Sequence, residues 1–266
     1  MNTTGNRPAT HADLDLAKVP AVTLGFWLIK IAATTLGETA GDAVTMSMDL
    51  GYLLGTAVFA AILVAALTVQ IRATRFQPML FWAVIVATTT VGTTLADFCD
   101  RSLGIGYLGG STLLFALLMA SLLTWHRSLG SVSINRLDSR KAEIFYWVTI
   151  LFSQTLGTAL GDWVADPATG WGLGYEGGAL LFAAALALVI AAYLWTSMSR
   201  TALFWAAFIV TRPLGATVGD FLDKPIADGG LALSRYSASA ALIACMLALI
   251  FLLPQRAEKI ERIPPR

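Results

Sequence analysis

Eight long apolar stretches separated by short polar segments set the pattern of the chain. They cover residues 22–44, 50–71, 79–98, 105–126, 143–164, 175–197, 202–221 and 236–254. Each approaches the roughly 20 residues that a helix needs to cross the hydrocarbon core of a bilayer. The third reads MLFWAVIVATTTVGTTLADF. None alternates with period two, so the pattern predicts helices rather than barrel strands. Thirteen Lys/Arg residues fall on the side of the two termini and the even-to-odd linkers: Arg7, Lys18, Arg72, Arg75, Arg127, Arg136, Arg140, Lys141, Arg200, Arg256, Lys259, Arg262 and Arg266. Three fall on the other side: Arg101, Lys224 and Arg235. Positive charge marks the cytoplasmic side, so both termini and the longest internal loop, 126–142, are expected there. The first residues, MNTTGNRPATHADLDLAKVP, lack an early apolar run with a small-residue cleavage site. No cleaved signal peptide is therefore expected.

Aligning the odd-numbered stretches on their aromatic starts exposes a repeat. They read FWLIKIAATTLGETAGD (26–42), FWAVIVATTTVGTTLAD (81–97), YWVTILFSQTLGTALGD (146–162) and FWAAFIVTRPLGATVGD (204–220). In each, a glycine follows the Trp by ten residues and an aspartate follows it by fifteen: Trp27–Gly37–Asp42, Trp82–Gly92–Asp97, Trp147–Gly157–Asp162 and Trp205–Gly215–Asp220. A second signature follows in three copies, LGYLLG (50–55), IGYLGG (105–110) and LGYEGG (173–178), where the fourth has LALSRY. Repetition at this period decides the architecture. The expected fold is all-α, a polytopic membrane protein of eight transmembrane helices in four two-helix repeats. Two spans restore the starting orientation, so the repeats are parallel. The expected organisation is a cytoplasmic tail (1–20), repeat 1 (21–78), repeat 2 (79–126), a cytoplasmic linker (127–142), repeat 3 (143–200), repeat 4 (201–254) and a cytoplasmic tail (255–266). Fifteen helical residues place each aspartate about 22 Å from its Trp, in the outer half of the membrane.

The glycine five residues before each Asp pairs with a small residue just before it: Gly37/Gly41, Gly92/Ala96, Gly157/Gly161 and Gly215/Gly219. Such ridges let helices approach closely in lipid, and packing is their expected role. Carboxylates at this depth need a partner or a cavity. Four residues earlier, on the same helix face, stand Glu38, Thr93, Thr158 and Ala216; seven earlier stand Thr35, Thr90, Thr155 and Pro213. Repeat 4 offers Arg212 instead of the hydroxyl stripe. The acids Glu38, Asp42, Asp97, Asp162 and Asp220 thus face Arg212 and Lys30 as the only cations inside the spans, with Lys30 expected to snorkel inward. Excess acid calls for protonation, water or a bound cation. Asp49, Asp100, Asp166, Asp223 and Asp228 are expected as a mostly solvated outer ring.

Composition narrows the classes. Of 266 residues, 56% are hydrophobic and 13% charged, with a net charge of +1, which gives no basis for nucleic-acid binding. Cys99 and Cys245 belong to no metal or disulfide pattern; His11 and His126 lie in polar segments. No cofactor is expected. None of the repeats is Gly-x-Gly-Asp, which argues against an intramembrane aspartyl protease, and the last span lacks a retinal-type lysine. An enzyme is not expected.

The four Gly…Gly-Asp copies resemble a prokaryotic family of integral membrane proteins defined by a short repeat of unknown function, and the resemblance covers nearly all of the chain after residue 20. It implies the architecture and no activity. The segment Glu38-Thr-Ala-Gly-Asp42 is similar to the motif of small exporters of manganese or calcium, although its spacing differs by one residue and only repeat 1 has the Glu. The functional expectation is an inner-membrane transporter of a small cation, with a divalent metal such as manganese leading. Its expected metal ligands are Glu38, Asp42, Asp97, Asp162 and Asp220, with Thr93, Thr158 and Arg212 also lining the site. Oxygen-only donors suit hard cations. The alternative is a non-transporting scaffold or sensor subunit. The expected partners are the lipid bilayer and the cation, and a homo-oligomer is compatible with the pattern.

Overall fold

Helix starts and stops are written into the sequence. Thr23 accepts from the Phe26 amide at the start of α1 (Leu24–Asp42), and Pro78 occupies the first turn of α3 (Pro78–Asp97). Ser139 and Ser199 cap α5 (Arg140–Ala165) and α7 (Arg200–Asp223) in the same way. The second signature opens α2 (Gly51–Arg72), α4 (Gly106–Leu129) and α6 (Gly174–Trp195). Gly51, Gly106 and Gly174 all adopt positive φ, near 70°, which only glycine takes without strain. The fourth copy starts α8 (Arg235–Leu252) differently, with Ala232 taking the left-handed conformation two residues before Ser234. A π-helical turn follows Asp42 (Ala43–Ser47) and another follows Asp97 (Phe98–Ser102).

The computed structural model describes residues 16–260; Arg7, His11, Arg262 and Arg266 lie outside the described residues. Among those described, eight long helices form, and seven are long and apolar enough to cross a membrane. The exception is α1, whose 19 residues carry Lys30, Glu38 and Asp42.

The inner helices α1, α3, α5 and α7 pack in a closed circuit, α1 on α3, α3 on α5, α5 on α7 and α7 on α1. The outer helices follow an offset. Each packs mainly on the inner helix of the following repeat: α2 on α3, α4 on α5, α6 on α7, and α8 back on α1. Ser121 to Thr149 (2.7 Å) and Ser239 to Thr39 (2.9 Å) are hydrogen bonds across two of these contacts. The outer helices expose Leu53, Ile62, Val64, Leu113, Phe115, Leu180, Leu188 and Phe251. An apolar perimeter of this kind is a lipid-facing surface.

At one end, β1 (Leu16–Pro20) pairs antiparallel with β2 (Ala257–Lys259). Lys18 fastens this pair to the helices, 2.6 Å from Glu143 and donating to the Ile71 carbonyl (2.9 Å). The terminal segments expected as cytoplasmic tails include a strand pair. Its residues Ala17 and Val19 are buried in the apolar core.

Candidate functional site

Four layers stack inside the ring, and each begins from the repeat register. At the end nearest the strand pair, the first aromatic of each repeat meets the Trp of the next. Phe26 lies 5.5 Å from Trp82, Phe81 5.7 Å from Trp147, Tyr146 6.3 Å from Trp205, and Phe204 5.9 Å from Trp27. These eight rings close the circuit with tilted and edge-on contacts, which aromatic quadrupoles favour. Trp82 and Trp205 donate outward, to Gln255 (3.2 Å) and the Val132 carbonyl (3.0 Å).

The glycine layer comes next and follows the same rotation. A Cβ on Gly37 would run into Thr89, one on Gly92 into the backbone of Gln154 and Thr155 at 2.9 Å, one on Gly157 into Arg212, and one on Gly215 into the Thr34 backbone at 2.9 Å. Each glycine therefore receives the residue eight before the aspartate of the next repeat. Packing is their role, as the sequence suggests. Lys30 sits below, fully buried, donating to Thr211 (3.3 Å) and lying 3.9 Å from the Phe208 ring centre. It does not snorkel, because the circuit of α1 and α7 surrounds it.

The third layer gathers the residues four before each Asp. One nitrogen of the fully buried Arg212, Nη2, donates to Glu38 (2.9 Å), to Thr93 (2.6 Å) and to Thr158. Thr93 also donates to Glu38 (3.2 Å). Three helices thus converge on an arginine from the fourth. The hydroxyls seven before the Asp take a different course: Thr35, Thr90 and Thr155 each donate to a carbonyl of their own helix. They are local back-bonds.

The aspartates form the fourth layer, all buried, and two cations bridge them between repeats. Arg101 lies 3.0 Å from Asp97 and 3.3 Å from Asp162, and also donates to Tyr52 (3.2 Å). Lys224 pairs with Asp42 and lies 3.1 Å from Asp220. Arg235 stands 3.4 Å from Asp223 and 3.9 Å from Asp42. All three cations were expected in outer loops. The signal that locates two of them is the i,i+4 spacing Asp97–Arg101 and Asp220–Lys224, which puts both members on one face if the helical path continues beyond the Asp. It does so, through a π-helical turn after Asp97 and through the last turn of α7.

One correction follows. Asp100 and Asp223 are buried rather than part of a solvated ring, whereas Asp49 and Asp228 are exposed. Asp166 caps its own loop, accepting from the amides of Ala168 (2.8 Å) and Thr169 (2.7 Å). Partial burial opposes its ionisation, but these donors hold its carboxyl below the usual range. Among the described residues, one carboxylate group is tight enough for an ion: Asp42, Asp220 and Asp223, with ligand atoms within 4.8 Å of one another. Asp42 and Asp220 were expected there and Asp223 was not. Glu38, Asp97 and Asp162 lie outside the group; Arg212 pairs with Glu38, and Arg101 with Asp97 and Asp162.

No curated protein and no solved structure matches the chain. The sequence profile of the family described as "Repeat of Unknown Function (DUF347)" matches four times, over residues 25–76, 80–131, 145–199 and 203–259. Each match takes in one inner helix and the outer helix that follows it, and together they span most of the chain. The chain belongs to this family of repeat proteins of unknown function.

Proposed function

We propose that this protein is a membrane transporter of a small cation, with a divalent metal such as manganese as the leading substrate and no enzymatic activity. The observation that carries the reading is the buried Asp42–Asp220–Asp223 group. Hard oxygen donors favour Mn²⁺, Mg²⁺ or Ca²⁺ over softer ions. Acid also exceeds base throughout the aspartate layer, since Asp100 and Asp223 join the expected acids there. In the same reading all eight helices span an inner membrane as four parallel two-helix repeats. The strand pair and aromatic layer face the cytoplasm and the aspartates face outward. The lysine- and arginine-rich linkers support that orientation.

A non-transporting scaffold is the second reading. It is favoured by the ion pairs that engage Glu38, Asp97 and Asp162 internally. Cellular content and tolerance of Mn, Mg, Ca, Fe and Zn separate the two, measured in a deletion strain carrying wild type or Asp220→Asn. Transport predicts a shift in one metal on deletion, restored by wild type and not by Asp220→Asn. Unchanged content of all five metals, with normal expression, would remove the transport reading.

A further inference from the structure

The aspartate layer has a twofold alternation that the fourfold motif conceals. Three and four residues after the repeat Asp, repeats 2 and 4 carry Asp100-Arg101 and Asp223-Lys224, whereas repeats 1 and 3 carry Thr45-Met46 and Ala165-Asp166. In both acidic repeats the cation bridges its own repeat Asp and that of the next repeat. Two similar clusters result, one held by an arginine and one by a lysine. The chemistry of the two differs. Arg101 spreads a planar guanidinium over Asp97, Asp162 and Tyr52 through separate nitrogens, a geometry that no spherical ion reproduces. Lys224 brings a compact point charge on a flexible stem, which a metal ion can replace.

Among the described residues, only the lysine cluster brings three carboxylates within ion-binding range. Under-satisfied acids occur in both clusters, since both oxygens of Asp100 in the arginine cluster also lack a hydrogen-bond partner. In the lysine cluster Asp42, 1% exposed, leaves Oδ1 without a hydrogen-bond partner, and Asp223, 6% exposed, leaves Oδ1 without one and meets on Oδ2 only the Arg235 ion pair at 3.4 Å. Such atoms cost free energy unless something else fills their coordination. With all three acids ionised, Lys224 and Arg235 leave one negative charge uncompensated. A divalent ion in place of the ammonium brings the cluster to neutrality.

We propose that Lys224 is a tethered competitor: its ammonium holds the place of a divalent cation among Asp42, Asp220 and Asp223, and an arriving cation displaces it toward the outer water. This rests on the transport reading and names the residue that sets the affinity of the site. A weak resting site follows, loaded only when the outside concentration overcomes the lysine.

Mn²⁺ binding to the purified full-length protein, by isothermal titration calorimetry, tests the idea. Lys224→Met is expected to bind Mn²⁺ at least about tenfold more tightly than wild type, and Lys224→Met/Asp220→Asn to lose the gain. Lys224→Arg keeps the charge and replaces the exchangeable ammonium with a fixed fork, so it is expected to bind more weakly than wild type. This second variant keeps the test sound if Lys224→Met fails to fold. Equal or weaker binding by a folded Lys224→Met, with wild type binding normally, overturns the competitor role and leaves transport standing. No Mn²⁺ binding by wild type or by either single variant overturns both.

Discussion

Removing an ammonium from water is costly, and Lys30 does so with one hydroxyl and one aromatic face as partners. No carboxylate pairs with it among the described residues. Replacement by a similar apolar side chain removes that cost. Lys30→Met is therefore expected to raise the thermal midpoint by about 2–6 °C, for a gain of about 1–2 kcal/mol. A lower midpoint, by scanning fluorimetry, would show that the amine has a stabilising partner. Arg212 presents the opposite case. Glu38→Gln strands its guanidinium and should cost about 3–5 kcal/mol, whereas Glu38→Gln with Arg212→Met should recover part of the loss. A double variant less stable than Glu38→Gln alone would contradict this. Sequence places Glu38, Thr93 and Thr158 on matching faces and sets Arg212 beside them; that one arginine nitrogen reaches all three follows only from the ring, which closes α7 on both α1 and α5. It likewise puts Lys30 in a span without revealing that α7 closes over it.

At the scale of elements, the glycines of the small-residue ridges look equivalent in sequence and differ in what they meet. A methyl on Gly92 reaches backbone atoms of α5 at 2.9 Å, which cannot yield without moving the helix. A methyl on Gly41 meets the side-chain methyl of Thr93 at 3.1 Å, where a small shift suffices. Gly92→Ala should thus cost about 1–3 kcal/mol and Gly41→Ala clearly less, read from unfolding in mixed micelles. Equal effects would mean that the helices have freedom to separate. The GxxxG register shows which face packs. The receiving helix is not readable from it, because the residue that fills each groove belongs to the next repeat. Arg101 follows the same logic: its spacing to Asp97 is local, while its second partner, Asp162, exists only through the ring. The strand pair had no signal at all, since LAKVP and AEK are too short to show alternation.

For the molecule as a whole, the proposed parallel repeats would place every odd-to-even turn on the outer side. In a background with Cys99 and Cys245 replaced by Ser, a cysteine at Asp49 or Asp228 should react with a membrane-impermeant maleimide in intact cells. One at Asp138, in the 126–142 linker, should react only after lysis. Labelling of all three from outside would overturn the orientation. The offset packing carries a further consequence for how the chain is made. Helix α1 leaves the ribosome first, yet Arg212, Lys224 and α8, which cover its Glu38, its Asp42 and its outer face, come last. At about 5–20 residues per second, the 174-residue separation of Glu38 and Arg212 takes roughly nine to thirty-five seconds to translate. Through that interval α1, the one long helix outside the set apolar enough to cross a membrane, holds its charges without their final partners. A chain cut short after α6 would carry the lesion at its beginning, in α1, and quality control would meet it there.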